Sequence, residues 1–233
     1  INSIFALCEK TGANIKEVAL AIGADRRIGP FFLNAGPGFG GSCFKKDILN
    51  LIYICNHFGL EEVSSYWQKV IDINSWQSER IIRIIVNSLF GTVSDKRISI
   101  LGFSFKANTN DTRESRAINI CKDLIDEGAI LQIFDPRVSK EQITKDLSLC
   151  SAESNEVISY KGSWIKSDSV EDSFQNVDAV IILTEWDEFR NLNWQNLATK
   201  MRKPSWLFDT RSVTNSDEAK RFGINVWEIG KGK

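Results

Sequence analysis

Histidine is almost missing from this sequence: His57 stands alone among 233 residues. It falls near the end of a predicted helix and reads as a surface residue favoured by the helix dipole, not as a catalyst. Cysteines stand at 8, 43, 55, 121 and 150 with no C-x-x-C pair. A zinc site therefore has too few ligands at metal-like spacing, and no metal is expected. An odd, scattered set of this kind reads as reduced thiols of a cytoplasmic protein. Proline (4) and glycine (15) are too scarce for a collagen-like chain, and no low-complexity tract or short-period repeat is visible. The longest apolar runs, such as Ala179–Leu183, fall far short of the ~18 residues a membrane span requires, so no membrane partner is expected. Neither charge sign dominates: 29 Lys+Arg face 30 Asp+Glu with no basic block, which excludes a dedicated nucleic-acid binder. Hydrophobic residues make up 42 %, so the chain has enough apolar material for a packed core and is not generally disordered.

Two textures divide what is present. Residues 1–94 read as helical, with Ile4, Leu7 and Cys8 at helical spacing up to Gly12 and Asn14 capping a second helix that carries Ile15, Val18, Ala19 and Ile22. A third helix is expected over Phe44–Phe58. From Glu61 to Phe90 there is neither Pro nor Gly, and the recurring apolar residues predict one long helix suited to linking domains or lining a dimer interface. Trp67 and Trp76 on it are candidate interface residues. From 95 to 233, short apolar strands (Arg97–Leu101, Ala129–Phe134, Ala179–Leu183, Trp206–Phe208 and Ile224–Val226) alternate with amphipathic helices. That alternation defines an α/β domain with a parallel, doubly wound sheet. The polar stretch Ser151–Gly162 is expected to be an exposed loop with an extra short strand.

The densest chemical signal is Gly36-Pro37-Gly38-Phe39-Gly40-Gly41-Ser42-Cys43-Phe44-Lys45-Lys46-Asp47. Glycines allow backbone amides to approach a ligand, and a cysteine at a helix start beside cations is favoured as thiolate. Lys46 and Asp47 follow Cys43 at i+3 and i+4, on one side of the first turn. Two readings stand at this point: a thiolate nucleophile for carbonyl chemistry, and an inert cysteine beside a packing loop. Gly36-x-Gly38-x-x-Gly41 matches the spacing of a dinucleotide fingerprint but lacks the preceding strand and βαβ unit, and is rejected as one. The turn after the first strand carries Phe105 and Lys106 in place of glycines. Lys106 and the later Asp209-Thr210-Arg211 fall at carboxyl ends of strands, where ligands bind in such sheets. Asp111-Thr112-Arg113-Glu114-Ser115 reads as a helix start with Asp111 or Thr112 as cap and Glu114 in the first turn, which leaves Arg113 without a structural task.

Together these segments resemble the UDP-glucose 6-dehydrogenase family. Gly38–Asp47 looks like its catalytic cysteine loop. Gly102–Lys106, Asp111–Ser115 and Phe208–Arg211 look like signatures of its C-terminal domain, and Tyr66–Asn74 is similar to the long helix of animal-type members. The resemblance implies a helical central dimerisation region followed by a Rossmann-like parallel-sheet domain that binds a UDP-sugar. It implies oxidation of UDP-glucose to UDP-glucuronate with two NAD+, in homo-oligomers built from dimers, a hexamer in full-length form. By position it implies Cys43 as nucleophile, Asp47 activating water, and Lys46 on the cofactor side with Phe44, Lys45 and Arg113. Phe32, Leu33, Asn34, Ala35, Gly36, Pro37, Gly38, Phe39 and Gly40 are implied to line the sugar nucleotide, with Phe105, Lys106 and Arg211 around its uridine and phosphates. Arg27 is implied to reach a neighbouring subunit's site. Asn34 departs from the Lys of animal members, and Gly36-Pro37 replaces a less constrained pair.

Because the sequence opens inside an amphipathic helix, it is expected to be part of a longer chain whose N-terminal dinucleotide-binding domain supplies NAD binding. The 233 residues alone are then not expected to turn over substrate. The competing readings are a GDP-mannose or UDP-N-acetylmannosamine dehydrogenase, and a non-catalytic dimerisation and nucleotide-binding module.

Overall fold

The computed structural model describes residues 1–148 and 162–232. Four helices come first: α1 (Asn2–Thr11), α2 (Ile15–Gly23), α3 (Phe44–His57) and α4 (Glu61–Ser88). Gly12 ends α1 in the left-handed conformation, and the Asn14 side chain accepts from Lys16 N to start α2, the two punctuation signals the sequence carries. α4 runs 28 residues without interruption, as the absence of Gly and Pro permits.

The remainder alternates β1 (Arg97–Leu101), α5 (Arg116–Asp126), β2 (Ile130–Phe134), α6 (Lys140–Ser148), β3 (Ser163–Lys166), α7 (Val170–Ser173), β4 (Ala179–Ile182), α8 (Trp194–Lys200), β5 (Ser205–Asp209), α9 (Ser216–Arg221) and β6 (Ile224–Glu228). All pairings are parallel, in the order β3-β2-β1-β4-β5-β6. This is the doubly wound arrangement in which the strand order reverses between β1 and β4, opening a crevice above their carboxyl ends.

β3 was not expected at 163–166. It is an edge strand of four residues with alternating exposure, so it lacks the apolar run that marks the buried strands. The loop and short strand expected at 151–161 lie outside the described residues. A second correction concerns α5. Its cap is Ser115, whose Oγ accepts from Ala117 N at 3.3 Å and donates to the Phe103 carbonyl at 2.7 Å. Asp111 caps nothing and Glu114 precedes the helix at φ +55°; the start is set by a contact with the β1 turn that local sequence does not encode.

Alternate residues of each strand face opposite cores. Ala179 and Ile181 of β4 join one core, Val180 and Ile182 the other. The first core also contains Phe5 and Cys8 of α1, Ile15 of α2, and Ile81 and Ile85 of α4. Helical region and sheet therefore share one apolar interior, each fully buried Ile contributing about 1.5–3 kcal/mol. A part-buried Arg80–Glu9 ion pair and the bond from Gly230 N to Glu9 Oε1 at 2.9 Å tie α1, α4 and the segment after β6 together. Among the described residues no helix is long and apolar enough to cross a membrane.

Candidate active site

The glycine-rich segment 36–41 crosses from α2 to α3 as a strap clamped on both sides. From α4, Asn74 grips Phe39 twice: Oδ1 accepts from Phe39 N at 2.8 Å and Nδ2 donates to Phe39 O at 3.2 Å. Ser78 Oγ donates to Pro37 O at 2.8 Å. From the sheet side, Arg116 Nε donates to Phe39 O at 3.0 Å and Gly41 N donates to Arg113 O at 3.0 Å. A Cβ on Gly40 would lie 2.5 Å from the Glu114 carbonyl oxygen, a distance no side chain tolerates, so glycine is required there for the strap to touch α5's approach.

The strap delivers Cys43 to the head of α3. The thiol is exposed, with Ser42 Oγ at 3.8 Å. Phe44 packs edge-on against Phe39 with ring centroids 4.6 Å apart. Lys45 bonds Glu114 at 2.8 Å, while Lys46 and Asp47 stand exposed on the first turn. Arg113 bonds Asp111 at 2.6 Å; that bond and the Asp111 charge raise its pKa, and Cys43 adds in the same direction.

Two buried carboxylates shape the sheet's contribution. Asp135, just after β2, accepts from Phe103 N, Ser104 N, Ser104 Oγ, Arg137 N, Val138 N and Trp186 Nε1 at 2.7–3.2 Å. It fixes the turn that carries Phe105 and Lys106; Phe105 lies under Gly41, and Lys106 Nζ sits 5.3 Å from the Phe105 ring centroid. Asp209 accepts from Arg211 N, Val213 N and Thr214 N. Burial pushes its pKa up against those bonds. Arg211 is thereby held at the end of β5, its Nε donating to Leu183 O at 2.8 Å.

A cleft of about 610 Å³ opens between α2 and this edge of the sheet. Of the residues singled out from sequence, Leu33, Asn34, Ala35 and Arg211 line it. Gly36 abuts the Arg211 guanidinium, and a Cβ there would stand 3.0 Å from Nη1. Pro37, Gly38, Phe39 and Gly40 belong to the strap beside it. Arg27 and Phe32 are not brought in: Arg27 pairs with Asp25 at 2.6 Å with its side chain 87 % exposed, and Phe32 is 100 % exposed at φ +62°. Sequence reasoning missed Lys16, Glu185 and Arg190, which also line the cleft, and Asn74 and Arg116, which clamp the strap. Glu185 was within reach, since it closely follows β4 at a strand's carboxyl end.

Fold and site define a class: an α/β chain of nucleotide-binding topology with an exposed cysteine delivered to the seam between a helical region and the sheet. Sequence comparison makes this specific. Residues 1–76 match the central domain of the UDP-glucose/GDP-mannose dehydrogenase family, and residues 99–216 match the UDP binding domain of that family. The chain belongs to this family. It is 50 % identical over 231 residues to UDP-glucose 6-dehydrogenase of Drosophila melanogaster, covering 99 % of this chain and 48 % of that protein. It is 47 % identical to UDP-glucose 6-dehydrogenase 2 of Oryza sativa subsp. japonica, covering 99 % and 49 %. The chain spans about half the length of the curated relatives it matches. A UDP-glucose dehydrogenase structure from Pyrobaculum islandicum superposes with a TM-score of 0.77 at 25 % identity, covering 100 % of this chain and 47 % of that one.

Proposed function

We propose that this chain forms the central and C-terminal parts of a cytoplasmic NAD-dependent UDP-glucose 6-dehydrogenase, converting UDP-glucose, 2 NAD+ and water to UDP-glucuronate and 2 NADH. The observation that carries the reading is the exposed Cys43, held at the head of α3 by a strap clamped to both α4 and the sheet. Four-electron oxidation of an alcohol needs a covalent hold on the intermediate aldehyde, and a thiolate provides it.

In this reading the C6 alcohol of the sugar is oxidised to an aldehyde. The Cys43 thiolate adds to its carbonyl carbon, forming a C–S bond and, after protonation, a thiohemiacetal. Loss of a second hydride from C6 leaves a thioester. Water, its proton taken by Asp47, attacks that carbon; the C–S bond breaks, and the carboxylate leaves with Cys43 regenerated as thiolate. NAD+, when bound, takes up the two hydrides.

Cys43, Phe44, Lys45, Lys46 and Arg113 suit one wall of the nicotinamide site, because the first turn of α3 is open to solvent on that side. The dinucleotide cradle itself does not fit this sheet, whose β2 carboxylate Asp135 is already occupied by backbone and side-chain donors of this chain. Phe105, Lys106 and Arg211, with the segment from Asn34 to Gly40, hold uridine and diphosphate. Arg27 and Phe32, facing outward, suit contact with a second subunit. The exposed aromatics Tyr53, Phe58, Tyr66 and Trp76 of α3, α4 and their junction support a homodimer as the building block of a larger oligomer.

The test is the NADH yield per UDP-glucose with the full-length gene product. Two NADH per sugar, with completed turnover lost in Cys43→Ala, is the expected result. One NADH per sugar defeats the thioester route, and activity only with GDP-mannose or UDP-N-acetylmannosamine reassigns the substrate.

A further inference from the structure

Three cations line the cleft between α2 and the sheet: Lys16, Arg190 and Arg211. Each has a carboxylate partner. Lys16 pairs with Glu228 at 3.1 Å, Arg190 with Asp187 at 2.8 Å, and Arg211 with Glu185 at 3.3 Å. Glu228 and Asp187 are outside the cleft lining, whereas Glu185 is part of it. Among the described residues Glu185 is thus the one acidic group lining a mainly apolar cleft that also carries these three cations.

The Glu185–Arg211 contact differs from the other two. Its separation is within ion-pair range, yet Glu185 Oε2 is buried and receives no hydrogen bond from a described residue. The guanidinium is anchored elsewhere, through Nε to Leu183 O, with Gly36 leaving it the room a side chain would take. Arg211 therefore needs no help from Glu185 to keep its place. The Glu185 side chain is 38 % exposed overall, but its shielded Oε2 lacking a donor is an unfavourable arrangement for a purely structural ion pair.

We propose that Glu185 is a resident counter-ion that competes with the diphosphate of the nucleotide ligand for Arg211, and so limits how tightly nucleoside diphosphates are held. The inference rests on the nucleotide-sugar reading of the cleft and adds a residue that sets affinity within it. An incoming diphosphate meets Arg211 already part-neutralised and must lie against a second negative charge. The ligand is held less firmly, and a product bearing the same diphosphate leaves sooner. Glu185 acts on the ligand by offsetting the charge of Arg211, not by holding that side chain in place.

The experiment is calorimetric titration of the chain with UDP, UMP and uridine, comparing wild type with E185Q and E185S, each checked for folding by circular dichroism. Removing a part-exposed charge from a site of this kind should tighten UDP about fivefold at low salt. The gain should shrink as salt is added, be smaller for UMP, be absent for uridine, and disappear in an R211Q background. UDP affinity unchanged or weakened in both folded variants overturns the proposal, as does an equal gain for uridine. A wild-type chain that binds no UDP overturns the nucleotide reading itself, a result distinct from the failure of Glu185 alone.

Discussion

Asn74 holds Phe39 by both ends of its amide, accepting from the backbone N–H at 2.8 Å and donating to the carbonyl at 3.2 Å. The two residues are 35 positions apart in sequence and on different elements. Asn74 is buried within α4, so its polar atoms have no water to fall back on.

Asn74→Ala should therefore destabilise the chain by about 2 kcal/mol, since it deletes two bonds and leaves Phe39 N without its acceptor. Urea unfolding followed by tryptophan fluorescence measures this. Loss within a few tenths of a kcal/mol of zero would mean that Arg116 and Ser78 hold the strap unaided.

The four described cysteines should separate cleanly by reactivity. Cys43 is exposed, while Cys8, Cys55 and Cys121 are buried, and burial pushes the Cys121 thiol far above its ordinary pKa. In a Cys150→Ser background, iodoacetamide should label Cys43 on the order of 10²-fold faster than the other three, which need local opening first. Peptide mapping by mass spectrometry reads the order of labelling. Comparable rates at Cys43 and Cys55 would refute an accessible thiol at the head of α3.

Glu228 predicts an acid sensitivity with a defined sign. Burial pushes its pKa up, but attraction and a hydrogen bond from Lys16, with smaller help from Ser216 and Lys231, outweigh this and leave it below its ordinary 4.5. Its stabilising effect is present above that pH and is lost as pH falls through the lowered folded value. Glu228→Gln should cost about 1 kcal/mol near neutrality, and the gap to wild type should narrow progressively as pH falls below the ordinary 4.5. Urea midpoints measured from pH 7 downward through the acid range test it; a gap that does not narrow below 4.5 would contradict the coupling.

Much of the fold was legible in the sequence because its signals are local. The run without Gly or Pro announced α4, and the apolar runs at 97–101 and 179–182 announced central strands. β3 escaped because an edge strand need bury only one side. The head of α5 was misplaced because Ser115 is chosen by the distant Phe103 carbonyl, although Asp111 and Thr112 have equal capping chemistry. The strap and Cys43 were visible through their glycines, and Arg211 through its strand end. What clamps the strap was not visible, since Asn74 and Arg116 act through contacts 35 and 77 residues away. Glu185 shows its partner only when two neighbouring strands are laid side by side.

Asp135 has a consequence for protein engineering. In a dinucleotide-binding sheet the acid near the end of the second strand is available to a ribose hydroxyl. Here six donors from its own chain occupy the carboxylate. Installing glycines between Gly102 and Lys106 would remove the Ser104 Oγ donor but leave the other five in place, and would also release the turn that carries Phe105. Retargeting this sheet to a dinucleotide therefore requires rebuilding the ends of β1, β2 and β4 together, which places the change far from any path of single substitutions.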